Sequence, residues 1–462
     1  MTYKFTYLNV RLKKEAFVRL SSYLIEVVLS ERVVLVNSLS GAIDEVTLST
    51  YKALKSWQLD KTQQDYLRKR GHITEITEEQ EKDFAFKLWK SLDTKYRENV
   101  SVVICPSMDC NFRCSYCFER LLQNRIDNGS IPVEHLNLSH KQVDAIFTSF
   151  SEIQKLHKKI RPEITLYGGE SLLPQNYEVI KYITKRASDM NFSIFAVTNG
   201  YELSTFHDLL GKNGIKSIQV SLDGLAEHHN KNRPAIDGQP TFEKILTELE
   251  AVLDIDELQV VIRMNYDSSN VSTVPQLSKY LTERGILDNE KVTFYANLIS
   301  MNHEHKGKDY KALKQAKNLS LPTQFDLDGH TAGLRGRFES AIKANKPLPQ
   351  VPIFCAANSS MYVFSPDGGI YACWEGLYQE HSLIGQYEPK LTWNDSKLKR
   401  WHMERKLPNV PQCQNCSHLF FCGSGCTIQG FYKTAKWNAP HCDNFKNKFE
   451  VMIESLFSDK RE

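Results

Sequence analysis

Residues 110–117 read Cys-Asn-Phe-Arg-Cys-Ser-Tyr-Cys, which puts Cys110, Cys114 and Cys117 in one short loop with three and then two residues between them. That spacing lets a single loop wrap a cubane iron–sulfur cluster and ligate three of its four irons. Cluster sites normally use four thiolates, so the iron without a protein ligand is a place for chemistry. A zinc knuckle is the alternative. Zinc takes four closed ligands, commonly in paired C-x2–4-C spacing, and no fourth cysteine or histidine follows closely downstream.

From Val102 to about Leu298, short β-branched runs alternate with helical patterns. Candidate strands are 101–106, 163–168, 192–198, 217–222, 258–265 and 291–298, with helices such as 176–189 and 272–284 between them. Repeated strand–helix units predict a parallel sheet buried on both faces. Six units are too few for a closed eight-stranded barrel and suit a partial (β/α)6 TIM-like barrel, with ligands at the C-terminal strand ends. The polar motifs fall there: Gly168-Gly169-Glu170-Ser171, Thr198-Asn199-Gly200, Ser221-Leu222-Asp223-Gly224 and Asn265.

Ahead of this core, 1–95 reads as strands 23–29, 32–37 and 42–46, then helices near 49–58 and 61–70, an α+β module. Asn37-Ser38-Leu39-Ser40-Gly41 supplies hairpin turn formers. The charged stretch 77–99 predicts a helical linker, 119–140 a loop insertion, and 301–348 a polar bridge. The expected division is 1–95, 96–300, 301–348 and 349–462.

The 462 residues exceed one ordinary core. With 41% hydrophobic and 24% charged residues and a net charge of +3, the chain reads as soluble and globular, with no nucleic-acid partner. No apolar h-region or membrane-length run occurs, so a cytoplasmic location without membrane association is expected. Four of the eleven cysteines lie between 105 and 117 and seven between 355 and 442. In a reducing compartment that usage points to metal or catalysis.

The 110–117 run resembles the signature of radical S-adenosylmethionine (AdoMet) enzymes. The resemblance implies that the open iron binds AdoMet and that a reduced cluster cleaves it to a 5′-deoxyadenosyl radical. It also implies cofactor contacts from Tyr116, Gly168, Gly169, Glu170, Thr198, Asn199, Ser221, Asp223, Arg233 and Asn265. Arg233 would take the methionine carboxylate, for which a guanidinium fork is suited. Ser171 stands where proline is commoner in that family.

Downstream, Cys355, Gly368-x4-Cys373, Cys413-x2-Cys416-x5-Cys422-x3-Cys426 and Cys442 resemble, at all seven cysteines, the SPASM domain of peptide-modifying radical AdoMet enzymes. The resemblance implies two auxiliary clusters and so three [4Fe-4S] clusters in all. Cys413, Cys416, Cys422 and Cys442 would hold the outer auxiliary cluster, and Cys355, Cys373 and Cys426 the inner. Three thiolates leave the inner cluster to a non-cysteine side chain or to a substrate thiolate, and zinc remains the alternative for Cys413 and Cys416 alone. The eleventh cysteine, Cys105, ends an apolar strand and reads as a core residue.

The N-terminal pattern resembles the winged-helix-like recognition element of ribosomal-peptide maturases, where a leader peptide adds a strand to a sheet edge. A structural cap on the barrel is the alternative. These resemblances imply a peptide maturase that forms an intramolecular thioether, carbon–carbon or ether crosslink, with flavodoxin or ferredoxin as reductant. A sulfatase-maturase-like enzyme forming formylglycine is the second reading, and a non-catalytic iron–sulfur electron carrier the third. No general base stands out in the sequence.

Overall fold

The computed structural model describes residues 18–299 and 329–458. Residues 1–17 of the first expected segment and 301–328 of the expected bridge lie outside the described residues.

β1 (Arg19–Leu20) pairs with β5 (Ile73–Thr74), and β2 (Leu24–Val28), β3 (Arg32–Asn37) and β4 (Ala42–Thr47) form an antiparallel sheet in that order. The β3–β4 turn closes at Gly41, whose φ of +73° is the left-handed conformation that glycine accepts without strain. β3 is buried on both faces. Val33 and Leu35 pack on Leu54 and Leu67 of the two following helices. Val34 and Val36 point the other way, into a core with Phe338, Phe421, Phe449 and Ile453 near the C-terminus.

The expected linker is the helix Glu78–Arg97. A capping box between Thr77 and Gln80 starts it, and Glu78, Glu79 and Glu81 in its first turn suit the positive end of its dipole. Its buried positions, Glu81, Ala85, Trp89 and Asp93, recur every four residues. Along that stripe Trp89 packs with Leu407, Val410, Cys413 and Phe420, and its Nε1 donates to the Pro352 carbonyl at 2.8 Å.

The main sheet holds the six expected strands in parallel: β6 (Asn99–Ser107), β7 (Lys159–Gly168), β8 (Ser193–Thr198), β9 (Ile215–Ser221), β10 (Gln259–Tyr266) and β11 (Val292–Leu298). Four further strands extend it beyond β6: β12 (Met361–Phe364), β13 (Gly369–Tyr371), β14 (Leu383–Gln386) and β15 (Thr392–Trp393). β12 runs parallel to β6, with Met361 opposite Ser101, and the remaining three are antiparallel. The cysteine-rich C-terminal segment therefore shares the barrel sheet.

Two expectations need correction. The segment 119–140 contains the helix Arg120–Asp127, with Leu122 buried and Ile126 packed on the core. Asp127-Asn128-Gly129 is its stop signal, and Gly129 has φ +72°. The parallel strands are also covered evenly on one face only. Ile164, Leu166, Ile194, Ile218 and Ile262 are fully buried, with helix residues Ile146 and Ile180 in the same core. The alternate positions Thr165, Tyr167, Gln219, Ser221 and Arg263 remain partly exposed. With a period of two they share the opposite face, which the curled sheet turns into a lumen. Among the described residues, no helix is long and apolar enough to cross a membrane.

Candidate active site and metal centres

The loop bearing Cys110, Cys114 and Cys117 leaves the C-terminal end of β6 and is tied down from three sides. Arg113 and Ser115 N–H donate to the Pro234 and Asn232 carbonyls at 3.0 and 2.9 Å, and Ile236 N–H donates back to Asn111 at 2.8 Å. Asn199 Nδ2 donates to Asn111 Oδ1 at 2.7 Å, and Gln123 Nε2 to the Met108 carbonyl at 2.8 Å.

Gly168 and Gly169 pass directly beneath. A Cβ on Gly169 would lie 2.3 Å from the Asp109 carbonyl oxygen and 2.5 Å from that of Met108. The glycines thus admit the cysteine loop's own backbone, and Gly169 and Glu170 N–H bond the Ser107 and Asp109 carbonyls. Glu170 is buried and its carboxylate is occupied by protein donors: Leu172 N–H at 2.8 Å, Thr198 Oγ1 at 2.5 Å and Asn199 N–H at 2.6 Å. It joins the second and third strand-end motifs.

Tyr116, Asp223, Arg233 and Asn265 converge in one network. Tyr116 donates to Asp223 Oδ2 at 2.5 Å, Arg233 donates to the Tyr116 hydroxyl at 2.7 Å, and Asn265 Nδ2 lies 3.1 Å from both Tyr116 and Asp223 Oδ1. Burial pushes the Asp223 carboxyl up, against the opposing pull of Arg233. The Arg233 Nε is buried without a hydrogen-bond partner. Asp223 N–H donates to His229 Nδ1 at 3.2 Å, which fixes His229 as a neutral acceptor, and burial lowers its pKa well below the usual range. Thr241 Oγ1 holds the Arg233 carbonyl at 2.9 Å.

The ten cysteines singled out as ligands fall into three spatial groups. Burial raises the Cys110 thiol, and the charges of Glu170, Cys114 and Cys117 beside it raise it further. Cys373 feels burial, then Glu375, Cys426 and Cys355. Cys422 feels burial, then Cys416, Cys413 and Cys442. Cys105 is apart from these groups, fully buried in the barrel core.

The donor sets fit iron–sulfur clusters in their chemistry. Phe112 N–H donates to Cys110 Sγ at 3.4 Å, and burial pushes the Cys355, Cys373 and Cys426 thiols up against the opposing pull of backbone N–H groups at Ala356 and Ala357, at Glu375, and at Ile428 and Gln429. Buried sulfurs that gather together and accept backbone N–H groups are built to be thiolates, for which metal supplies the missing positive charge. Arg405 adds a fixed cation between two of the groups. It donates to four carbonyls, those of Trp437, Ala439, Ser424 and Gly425, while the charges facing it are Cys426, Cys413 and Cys422. Among the described residues no three His, Cys, Asp or Glu side chains close on a single-ion site.

Three further residues escaped the sequence reading. Arg263 lies opposite Ser221 on β9 and Tyr295 on β11, with its Nε buried and unpartnered. It precedes Asn265 by two on one strand, so strand periodicity alone could have found it. Glu119 is buried with Oε1 unpartnered, and burial pushes its pKa up to about 8. Glu375 follows Cys373 by two. Phe118 and Trp374 both stack on Tyr167, at 6.2 and 5.3 Å.

The stretch that carries the three-cysteine loop and most of the strand-end motifs, residues 104–264, matches the Radical SAM superfamily. The chain is 24% identical over 383 residues to the cysteine-type anaerobic sulfatase-maturating enzyme of Clostridium novyi (strain NT), covering 78% of this chain and 96% of that protein. The Clostridium perfringens enzyme of the same name is 22% identical over 389 residues, covering 78% and 98%. In fold it resembles the solved structure "Native anSMEcpe with bound AdoMet", with a TM-score of 0.53 and 18% identity over 78% of this chain and 97% of that one.

Proposed function

We propose that the chain is a maturase that modifies a ribosomally made peptide through hydrogen abstraction, most simply closing a thioether or another intramolecular crosslink. The observation that carries this reading is the partition of ten cysteines into groups of three, three and four around one barrel. Cys110, Cys114 and Cys117 would hold a [4Fe-4S] cluster, which together with AdoMet would supply a 5′-deoxyadenosyl radical. The C-terminal groups, read as a SPASM domain, would hold two auxiliary clusters, and an external flavodoxin or ferredoxin would serve as reductant.

The chain's own residues have distinct tasks in this reading. Tyr116, Asp223, Arg233 and Asn265 form a pre-bonded floor for AdoMet polar groups, and the orphaned Arg233 Nε is a donor available to a carboxylate. Arg263, one step deeper on the same face, presents a cation to the peptide, and the Phe118–Tyr167–Trp374 stack lines the lumen beside it. The β2–β3–β4 sheet would dock a leader, since among the described residues neither β2 nor β4 has a further strand partner.

Anaerobic incubation of the reconstituted protein with AdoMet, reductant and candidate precursor peptides tests the proposal. Loss of two hydrogens across a residue pair, with 5′-deoxyadenosine released, is the expected outcome. Absence of 5′-deoxyadenosine overturns it. Replacement of a cysteine sulfur by a carbonyl oxygen would instead support formylglycine formation, the reading favoured by the Clostridium relatives. Hydrogen exchange at β2 and β4 tests leader docking: protection of neither edge by bound peptide counts against it.

A further inference from the structure

β10 turns Arg263 and Asn265 to the lumen and Ile262, Met264 and Tyr266 to the helix-covered core. Asn265 belongs to the network with Tyr116 and Asp223 at the strand ends. Arg263 comes two residues earlier, about 7 Å deeper at the rise of an extended strand. Its register partners are Ser221 on β9 and Tyr295 on β11. Its charge also reaches Tyr167, where it opposes the rise that burial and Glu119 give that phenol. Tyr167 is on β7, and β8 and β9 separate β7 from β10 in the sheet. The curl of the sheet, not strand adjacency, brings the two residues toward each other. Phe118 and Trp374 stack on Tyr167 at 6.2 and 5.3 Å. The cation and the aromatic stack therefore bound the same part of the lumen.

The polar groups around this part of the lumen are bonded to one another. Tyr295 donates to Gln219 Oε1 at 2.9 Å. Asp223 accepts from Tyr116 and Asn265, Arg233 donates to the Tyr116 hydroxyl, and Glu170 takes three protein donors. Arg263 differs. Among the described residues its guanidinium makes no hydrogen bond and no ion pair, and its Nε is enclosed without a partner. The residue as a whole is only half-buried. With Nε closed off, the two Nη groups are the end that opens to the lumen. A cation held in a partly closed cavity without a counterion is costly, and an entering anion offsets that cost. Two parallel N–H groups on a planar fork match the two oxygens of a carboxylate. The aromatic stack offers apolar surface to the carbon chain that would carry it.

We propose that Arg263 binds a carboxylate of the peptide substrate, from an Asp or Glu side chain or from the peptide's C-terminus, and so holds the target segment below the Tyr116–Asp223–Asn265 network. The inference rests on the reading of the chain as a peptide-modifying enzyme and adds to it the class of substrate: a peptide with a carboxylate near the modified residue. Arg233, already bonded at the strand ends, is left to the cofactor, and the deeper, unbonded guanidinium to the peptide.

The test uses the full chain, anaerobically reconstituted, as the parent, Arg263→Gln and Arg263→Lys. The probe is a pool of short synthetic peptides, each with one cysteine and with Asp, Glu, Asn or Gln at one flanking position, made with free and with amidated C-termini. Retention of each peptide by the immobilised protein is measured beside iron content, AdoMet affinity and 5′-deoxyadenosine yield. The parent is expected to retain carboxylate peptides about tenfold better than their amides, one charge-assisted pair's worth of affinity. Arg263→Gln is expected to abolish that preference with iron content and AdoMet affinity unchanged, and Arg263→Lys to keep part of it. Preference for Asp or Glu assigns the side chain as the source, and preference for the free terminus assigns the C-terminal carboxylate. Equal retention of acids and amides by the parent overturns the proposal, as does a preference that survives in Arg263→Gln. Loss of AdoMet affinity in Arg263→Gln with peptide preference intact would make the residue a cofactor contact and overturn it equally. If the preference depends on Arg263 but the parent releases no 5′-deoxyadenosine with any peptide, the carboxylate site stands and the maturase reading falls.

Discussion

Gly169 and Arg405 show how single residues would set the terms for the proposed metal chemistry. The cysteine loop can lie against the second strand only because position 169 has no side chain: a Cβ would sit 2.3 Å from the Asp109 carbonyl oxygen. Gly169→Ala is therefore expected to push the loop away from β7 and spread its thiols. The check is iron content and AdoMet cleavage in the reconstituted variant, both expected to fall by an order of magnitude or more with secondary structure retained. Wild-type cleavage would show that the loop adapts. Arg405 acts through charge. It is buried, donates to four carbonyls, and feels the charges of Cys426, Cys413 and Cys422. A fixed cation stabilises the more negative, reduced state of a nearby cluster, so Arg405→Gln is expected to lower the midpoint potentials of the auxiliary clusters proposed at these thiols. Coulomb's law at intermediate dielectric puts the shift on the order of 50–100 mV. Redox titration measures it directly, and unchanged potentials would remove Arg405 from this role.

At the scale of elements, the small N-terminal sheet is pinned to its own helices by Asp44 on β4. Its carboxylate accepts from Tyr66 at 2.5 Å, from Arg70 Nε at 2.7 Å and from His72 Nε2 at 2.6 Å, which draws in the helix Lys61–Arg70 and the residues leading to β5. Burial alone would raise the Asp44 pKa, but these hydrogen bonds outweigh it and hold the group at about 2. A carboxyl held below its unfolded value stabilises the fold above about pH 4, and that stability disappears as pH falls toward 2. The linkage is worth about 2 kcal/mol. Asp44→Asn should lose that amount at neutral pH and flatten the acid limb of the unfolding curve. An unchanged acid limb would mean that the cluster of partners does not control the module. The local elements here were legible from sequence, because each is specified by neighbours in the chain: 32–37 is a short β-branched run, and Asn37 to Gly41 supplies turn formers directly after it. The six parallel strands were legible for the same reason. What was not legible depends on distant partners. Nothing in Met361–Phe364 reveals that it will pair with Ser101–Ile104, so the C-terminal strands were not expected in the barrel sheet. Arg263 gains its meaning only from the strands brought beside it by the fold.

Across the whole molecule, the N-terminal module and the outer cysteine group share one core. Tyr23 at the start of the module donates to the Gln414 carbonyl at 2.9 Å, between Cys413 and Cys416, and its ring packs on Phe420. Trp89 on the helix Glu78–Arg97 packs in the same cluster as Cys413, while Cys422 belongs to the cluster that covers Val34 and Val36. Two of the four outer cysteines therefore belong to cores that the module completes. If a cluster fixes the outer group, its loss should loosen the module, since cores transmit displacement through close packing and metal binding is coupled to local folding. A Cys413→Ser, Cys416→Ser variant is expected to speed hydrogen exchange in 81–93 and in β2 and β3, while the parallel strands β8 to β10 on the far side of the sheet keep their protection. Mass-spectrometric exchange on the full-length reconstituted protein resolves these segments. Unchanged exchange in the helix Glu78–Arg97 would mean that the module holds its place without the outer group. The expected pattern would instead make that group a structural keystone between the proposed peptide-docking sheet and the barrel, so that the docking module is fully ordered only when the metal centre beneath it is assembled.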